Sequence, residues 1–260
     1  MDITYGSYLK VPELLALQRP VSHPEQHDET LFIITHQVYE LWFRQQLHEG
    51  DRLGELLERG DLEQAGTTLA RMLKILKTMV AQIDVLETMT PVSFLGFRDF
   101  LRSASGFQSW QFRAFEMMLG CKEPRAVQRY PEGSSERDEL ERRLAAPSIW
   151  LRFARGLARG GHAVPDSTLH RDPSLPAAGD PAMQAMLLRQ YHERGPVHRF
   201  CESLVDLDEG VQEWRYRHVK MVERTIGSKQ GTGGSAGVQY LRSTLFQPLF
   251  PDLWELRSEL

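Results

Sequence analysis

The chain has 260 residues, with 31 Lys and Arg against 35 Asp and Glu for a formal net charge of -4, and only two cysteines, Cys121 and Cys201. A chain of this length can bury about three quarters of its unfolded surface as one domain, and its acidic balance without Lys/Arg runs argues against nucleic acid as a partner. Two cysteines cannot make a disulfide framework or a Cys-based zinc site, the start MDITYGSYLK lacks the basic flank and apolar core of a secretory signal, and no apolar run reaches the roughly 18 residues that span a bilayer; the expectation is a cytoplasmic protein without a membrane segment.

The periodicity is helical along the chain. Asp28 reads as an N-cap, followed by Phe32, Tyr39, Phe43 and Leu47 at helical spacing, with Gly50 expected to interrupt the helix. A second long helix starts at Leu62 and carries Leu69, Leu73, Leu76, Met79 or Val80, Ile83 and Leu86, with Thr90-Pro91 expected to end it. Gly106 to Leu119 reads as a third helix capped by Gly120, and Pro147 to Ala158 as a shorter one. The four prolines between Val164 and Pro181 indicate a loop, after which Asp180-Pro181 has the cap-then-proline order of a helix start. Beyond Pro196 a stripe of Phe200, Leu204, Leu207, Val211, Trp214, His218 and Met221 advances in steps of four and three, the signature of a helix facing other helices. Strand signals are weak, so residues 1–260 read as one all-α domain, a helical bundle.

The stretch SKQGTGGSAGVQYL, residues 228–241, packs four glycines into seven positions. It follows a helix rather than a strand and lacks Gly-Lys-Ser/Thr, so neither a dinucleotide fingerprint nor a Walker loop fits. Two histidines lie on apolar helix faces: His218 within the stripe, and His36 beside Phe32, Tyr39 and Phe43. Each reads either as a core histidine bonded to the backbone or as a ligand. Nothing acidic stands three or four positions from His218, which argues against a carboxylate-bridged metal pair. Haem asks the protein for one axial ligand and apolar walls, and the absence of C-x-x-C-H makes such a haem non-covalent. Periodicity goes no further than that.

The stretches TYGSYL, HDETLFIITHQVYELWF, GFRDF, SGFQSWQFR, WRYRHVKMV and GTGGSAGV resemble, in order and spacing, the tryptophan 2,3-dioxygenases, from about Thr4 to Trp254. The resemblance implies an all-helical homotetramer with a pocket for haem b, ferrous in the active state. Its reaction would insert both atoms of O2 across the indole C2-C3 bond of L-tryptophan, giving N-formylkynurenine and opening the kynurenine pathway. Carried over by position, His218 is the proximal iron ligand and His36 the distal catalytic histidine near the indole N-H. Phe32 is a pocket wall, Arg98 holds the substrate carboxylate, Thr232 contacts the head group from a glycine-rich lid, and Ser105 and Gly106 form a turn beside the oxygen site. Tyr5, Tyr8 and Leu9, within segment 1–20, reach a neighbouring subunit's pocket. Because the indole N-H is far less acidic than an imidazolium, His36 is expected to orient the substrate as a neutral acceptor rather than to deprotonate it. Two departures stand out: Phe94 replaces a tyrosine of some bacterial relatives, and Ile83 replaces a tryptophan that some members place near the haem.

Overall fold

The computed structural model describes residues 2–229 and 238–260. In chain order the helices are α1 (Tyr5–Leu9), α2 (Val11–Leu15), α3 (His27–Glu58), α4 (Leu62–Leu86), α5 (Pro91–Arg98), α6 (Trp110–Leu119), α7 (Pro124–Val127), α8 (Ser135–Ala145), α9 (Ile149–Arg159), α10 (Asp166–Leu169), α11 (Pro181–Glu193), α12 (Pro196–Ile226), α13 (Val238–Ser243) and α14 (Pro251–Glu255). Tight 3-10 turns cover Asp99–Leu101, Gly106–Gln108 and Leu256–Glu259, and no strand occurs among the described residues. The fold is all-α, as the periodicity predicts.

Three long helices make the frame: α4 packs against both α3 and α12, while α3 also meets α6 and α9. On α4 the predicted apolar set is the buried one, with Leu69, Met79 and Ile83 essentially inaccessible and Leu73 at the margin. Asp61 caps this helix by accepting from the Gln64 N-H at 3.1 Å, which satisfies one of the backbone donors that a helix start leaves unpaired. On α12 Phe200, Leu204, Leu207, Val211 and Trp214 are buried, and Gly227 at φ +60° ends the helix in a region that glycine enters without steric cost.

Local punctuation differs from the sequence expectation at four points. The helix expected from Gly106 begins only at Trp110, because Gly106–Gln108 forms a tight turn and the Ser109 hydroxyl then caps α6 by accepting from Phe112 N at 3.2 Å. Gly50 does not interrupt α3: a Cβ there would collide with the Sδ and Cε of Met118, so the glycine lets α6 approach closely. Thr90-Pro91 starts a helix rather than stopping one, because α4 ends at Leu86 and the Thr90 hydroxyl accepts from Ser93 N at 3.1 Å to cap α5, with Pro91 in its first turn. Asp28 lies inside the first turn of α3, whose cap position is Gln26. The neighbouring Glu29, 1% exposed, accepts from the Val21 and Ser22 N-H groups and the Ser22 hydroxyl, fastening the incoming chain to the helix.

Candidate active site

A cavity of about 1670 Å³, its open mouth included, lies between α3, α4, α5 and α12 and is closed at one side by the turn at Gly106–Gln108 and by α13. Its walls are largely apolar, with Phe32 and Phe43 from α3, Ile83 from α4, Phe94 from α5, and Trp214 and Val219 from α12. Both histidines singled out in the sequence open onto it.

His36 is held by its own helix. Its Nδ1 lies 2.7 Å from the Phe32 carbonyl, one turn earlier; a carbonyl can only accept, so Nδ1 carries the proton and Nε2 keeps the lone pair. The Phe32 ring packs on the imidazole at 4.1 Å. Burial pushes the His36 pKa below its ordinary value, despite the Phe32 hydrogen bond and the charge of Glu40, so the ring is neutral at pH 7. Phe32 in turn packs against Phe94 and Phe97 of α5, with ring centres 5.7 and 5.5 Å away. That contact seats α5 and brings Arg98, in its last turn, to the cavity wall.

His218 comes from α12. Its ring lies parallel to Trp214, 3° between planes and 5.2 Å between centres, and it makes no hydrogen bond to another described residue. Burial, then the facing His36 and the charge of Arg113, push its pKa down to about 4. The outcome is a neutral imidazole on the wall of a largely apolar cavity.

The turn after α5 is set by Ser105, whose hydroxyl accepts from Phe107 N at 3.3 Å while Gln108 Oε1 accepts from Ser105 N at 3.3 Å. A Cβ at Gly106 would meet no atom of the described residues within 4 Å, so packing among these does not demand a glycine there. Phe107 meets Tyr240 of α13 edge-on at 5.1 Å, joining the turn to the segment on the far side of the glycine-rich stretch. The wall also holds a charged group that sequence reading missed: Arg113 and Arg215 both bond to Glu116, at 2.6 and 2.7 Å. These residues look like ordinary charged helix positions in the sequence, and only the crossing of α6 with α12 unites them.

A family profile described as tryptophan 2,3-dioxygenase matches residues 1–148 and 176–260. Among proteins of that name, one from Herpetosiphon aurantiacus is 54% identical over 258 residues, covering 99% of this chain and 98% of the relative. One from Anaeromyxobacter sp. strain K is 55% identical over 262 residues, covering 99% and 96%, and one from Saccharopolyspora erythraea is 44% identical, covering 100% and 93%. The chain belongs to the tryptophan 2,3-dioxygenase family. It is accordingly an oxidoreductase, a dioxygenase of tryptophan breakdown.

Tryptophan 2,3-dioxygenases depend on haem, and the donor set of this cavity suits that group. Among the described residues no three His, Cys, Asp or Glu side chains gather to hold a bare metal ion, whereas a macrocycle that brings its own four nitrogens asks for one imidazole. His218, neutral and without a hydrogen-bonding partner among the described residues, is an imidazole that could fill that place, and the surrounding walls are largely apolar. Of the other residues the resemblance assigns in this dioxygenase, Phe32, His36, Arg98, Ser105 and Gly106 share the cavity with His218. Tyr5, Tyr8 and Leu9 do not join them: they sit on α1 at 80%, 75% and 45% exposure. Thr232 lies outside the described residues. Among the described residues no helix is long and apolar enough to cross a membrane.

Proposed function

We propose that the cavity binds haem b through His218 and L-tryptophan on the His36 side, and that the enzyme inserts both atoms of O2 across the indole C2-C3 bond to give N-formylkynurenine. The observation that carries this reading is the pairing of two neutral histidines across one apolar cavity: one has its Nδ1 occupied by a backbone carbonyl, the other has no hydrogen-bond partner among the described residues. When bound, ferrous haem supplies the iron at which O2 is activated.

The chain's own residues then have separable tasks. His218 would hold the haem iron through its imidazole, as the one protein side chain asked to do so. His36, fixed as the Nδ1-H tautomer, presents Nε2 to accept the indole N-H, orienting the substrate while leaving its proton in place. The Arg98 guanidinium grips the substrate carboxylate through paired hydrogen bonds, a geometry that a lysine ammonium cannot reproduce. Phe32 and Phe94 bracket the indole, and Ile83 and Phe43 keep water from the reacting bond. Thr232 and the glycine-rich stretch around it complete the head-group contact.

We further propose that the chain acts as one haem-dioxygenase domain in a cytoplasmic homotetramer, with segment 1–20 lying against a neighbouring subunit. The exposure of Ile3, Tyr5, Tyr8, Leu15 and Leu17, all above half, supports a covered state for this arm. The deciding experiment is an anaerobic absorption spectrum of reduced, haem-reconstituted protein, followed by L-tryptophan and then O2. A Soret shift with tryptophan and N-formylkynurenine on aeration support the reading; failure to take up haem sinks it, and haem uptake without product defeats the assigned chemistry.

A further inference from the structure

Binding and orientation account for one wall of the cavity and leave another without a task. Arg113 and Arg215 belong to SGFQSWQFR and WRYRHVKMV, are 8% and 5% exposed, and share one carboxylate, Glu116, itself 7% exposed. Arg113 Nη1 donates to Oε2 at 2.6 Å and Arg215 Nη2 to Oε1 at 2.7 Å. A guanidinium does not titrate in proteins, so two fixed cations face one anion and a positive charge is left in excess. Burying an unbalanced charge is a poor way to stabilise a fold, since the desolvation of each ion is repaid only by full pairing.

The excess is close to His218. Arg215 precedes it by three residues on α12, the same face one turn away. The Arg113 guanidinium lies 5.1 Å from the centre of the Phe112 ring, Phe112 packs on Trp214 at 4.8 Å, and Trp214 stacks on His218 at 5.2 Å. Aromatic rings fill the gap where water would otherwise screen the field. Other carboxylates are engaged elsewhere: Asp84 and Glu87 pair with Arg217, Glu213 with Lys77, and Glu223 with Lys220 and Arg242. Glu40, on the α3 side, accepts from Gln111 at 2.8 Å. Asp208 lies ten residues before His218, about 15 Å along the helix, and holds the Leu249 and Phe250 N-H groups and the Trp254 indole.

We propose that the Arg113–Glu116–Arg215 triad is a fixed positive charge beside the proximal histidine that raises the reduction potential of iron carried by His218 and so holds it ferrous. Ferric iron bears one more positive charge than ferrous iron, so an unscreened cation nearby disfavours loss of the electron. The three residues act through His218 and are positioning residues; the proposal rests on the haem reading above.

The test is the ferric/ferrous midpoint of the haem-loaded protein by spectroelectrochemistry, with activity read separately. Arg113→Gln and Arg215→Gln each remove a positive charge and should lower the midpoint, Glu116→Gln should raise it, and Arg113→Lys should restore most of the parental value. A merely structural role would not follow the sign of the charge removed. Midpoints that do not move, or that move in the same direction for Arg113→Gln and Glu116→Gln, overturn the proposal while the parental Soret band leaves the haem reading intact. Absence of haem uptake by the parental protein overturns both. Should Arg113→Gln fail to fold, the opposed pair Arg215→Gln and Glu116→Gln makes the same comparison.

Discussion

The imidazole of His36 gives its Nδ1 proton to the carbonyl of Phe32, one helical turn earlier on α3, at 2.7 Å. The bond costs no loop closure, since helix geometry alone brings the two groups together, and it leaves one nitrogen of defined role to face the cavity.

His36→Ala therefore tests orientation against proton abstraction. An acceptor that only aligns the indole contributes roughly one net hydrogen bond, so kcat/KM should fall by about tenfold, with an unchanged Soret band and altered preference among ring-substituted tryptophans. A fall beyond about 10³-fold with haem and tryptophan binding intact would match a general base and defeat the orientation view. In the parental enzyme the same neutral ring predicts kcat/KM that is flat around pH 7 and declines only as acid protonates Nε2, below the ordinary histidine value because burial lowers the pKa.

Haem-free protein should respond to acid through His218. Its folded pKa is depressed to about 4, below the roughly 6.5 of an unfolded chain, so between these values the unfolded state binds the extra proton and stability falls as pH falls. The contribution lost across that window is at most about 3 kcal/mol. Denaturant midpoints of haem-free protein from pH 7 to pH 4 should fall more steeply for the parental chain than for His218→Ala; parallel curves would show that the histidine is not held neutral.

At the other end of the cavity, Arg98→Lys keeps the charge and removes the planar fork. Charge-assisted bonds of this type contribute about 1.5–3 kcal/mol, so L-tryptophan affinity should drop by about 10- to 100-fold. Tryptamine, which lacks the carboxylate, should bind both proteins alike in a Soret titration. Equal losses for both ligands would place the role of Arg98 elsewhere.

Two glycines give a graded packing test. At Gly156 a Cβ would overlap the Leu57 carbonyl, backbone against backbone between α9 and α3, whereas at Gly50 it meets the mobile end of Met118. Gly156→Ala should destabilise by about 3 kcal/mol or more and Gly50→Ala by about 1–2, read from chemical denaturation. The reverse order would mean that the α3–α9 contact can relax.

The frame and the two histidines were legible in the sequence because they ride on long stripes: the α4 set and the α12 series from Phe200 to Trp214 follow helical period and are buried as read. Punctuation was less legible. Gly50 looked like a break because sequence shows the cost of glycine but not the Met118 side chain that requires it. Thr90-Pro91 fits a stop and a start equally well, and only the end of α4 at Leu86 decides. Helix α8, SERDELERRLA, buries only Leu140 and Arg143 and so offers no apolar stripe to detect. The Arg113–Glu116–Arg215 group was invisible for a further reason: an Arg and a Glu three apart normally mark a solvated face, and what buries them is a helix about a hundred residues later.

The parallel stack of Trp214 on His218 also gives the enzyme an internal optical reporter. An indole in face-to-face contact with one imidazole is a chromophore whose emission responds to whatever that imidazole holds, a proton or a metal. With five tryptophans in the chain, replacing Trp214 alone by Phe separates its signal from the rest, so occupancy of the His218 ring can be followed in solution by difference fluorescence without adding a label.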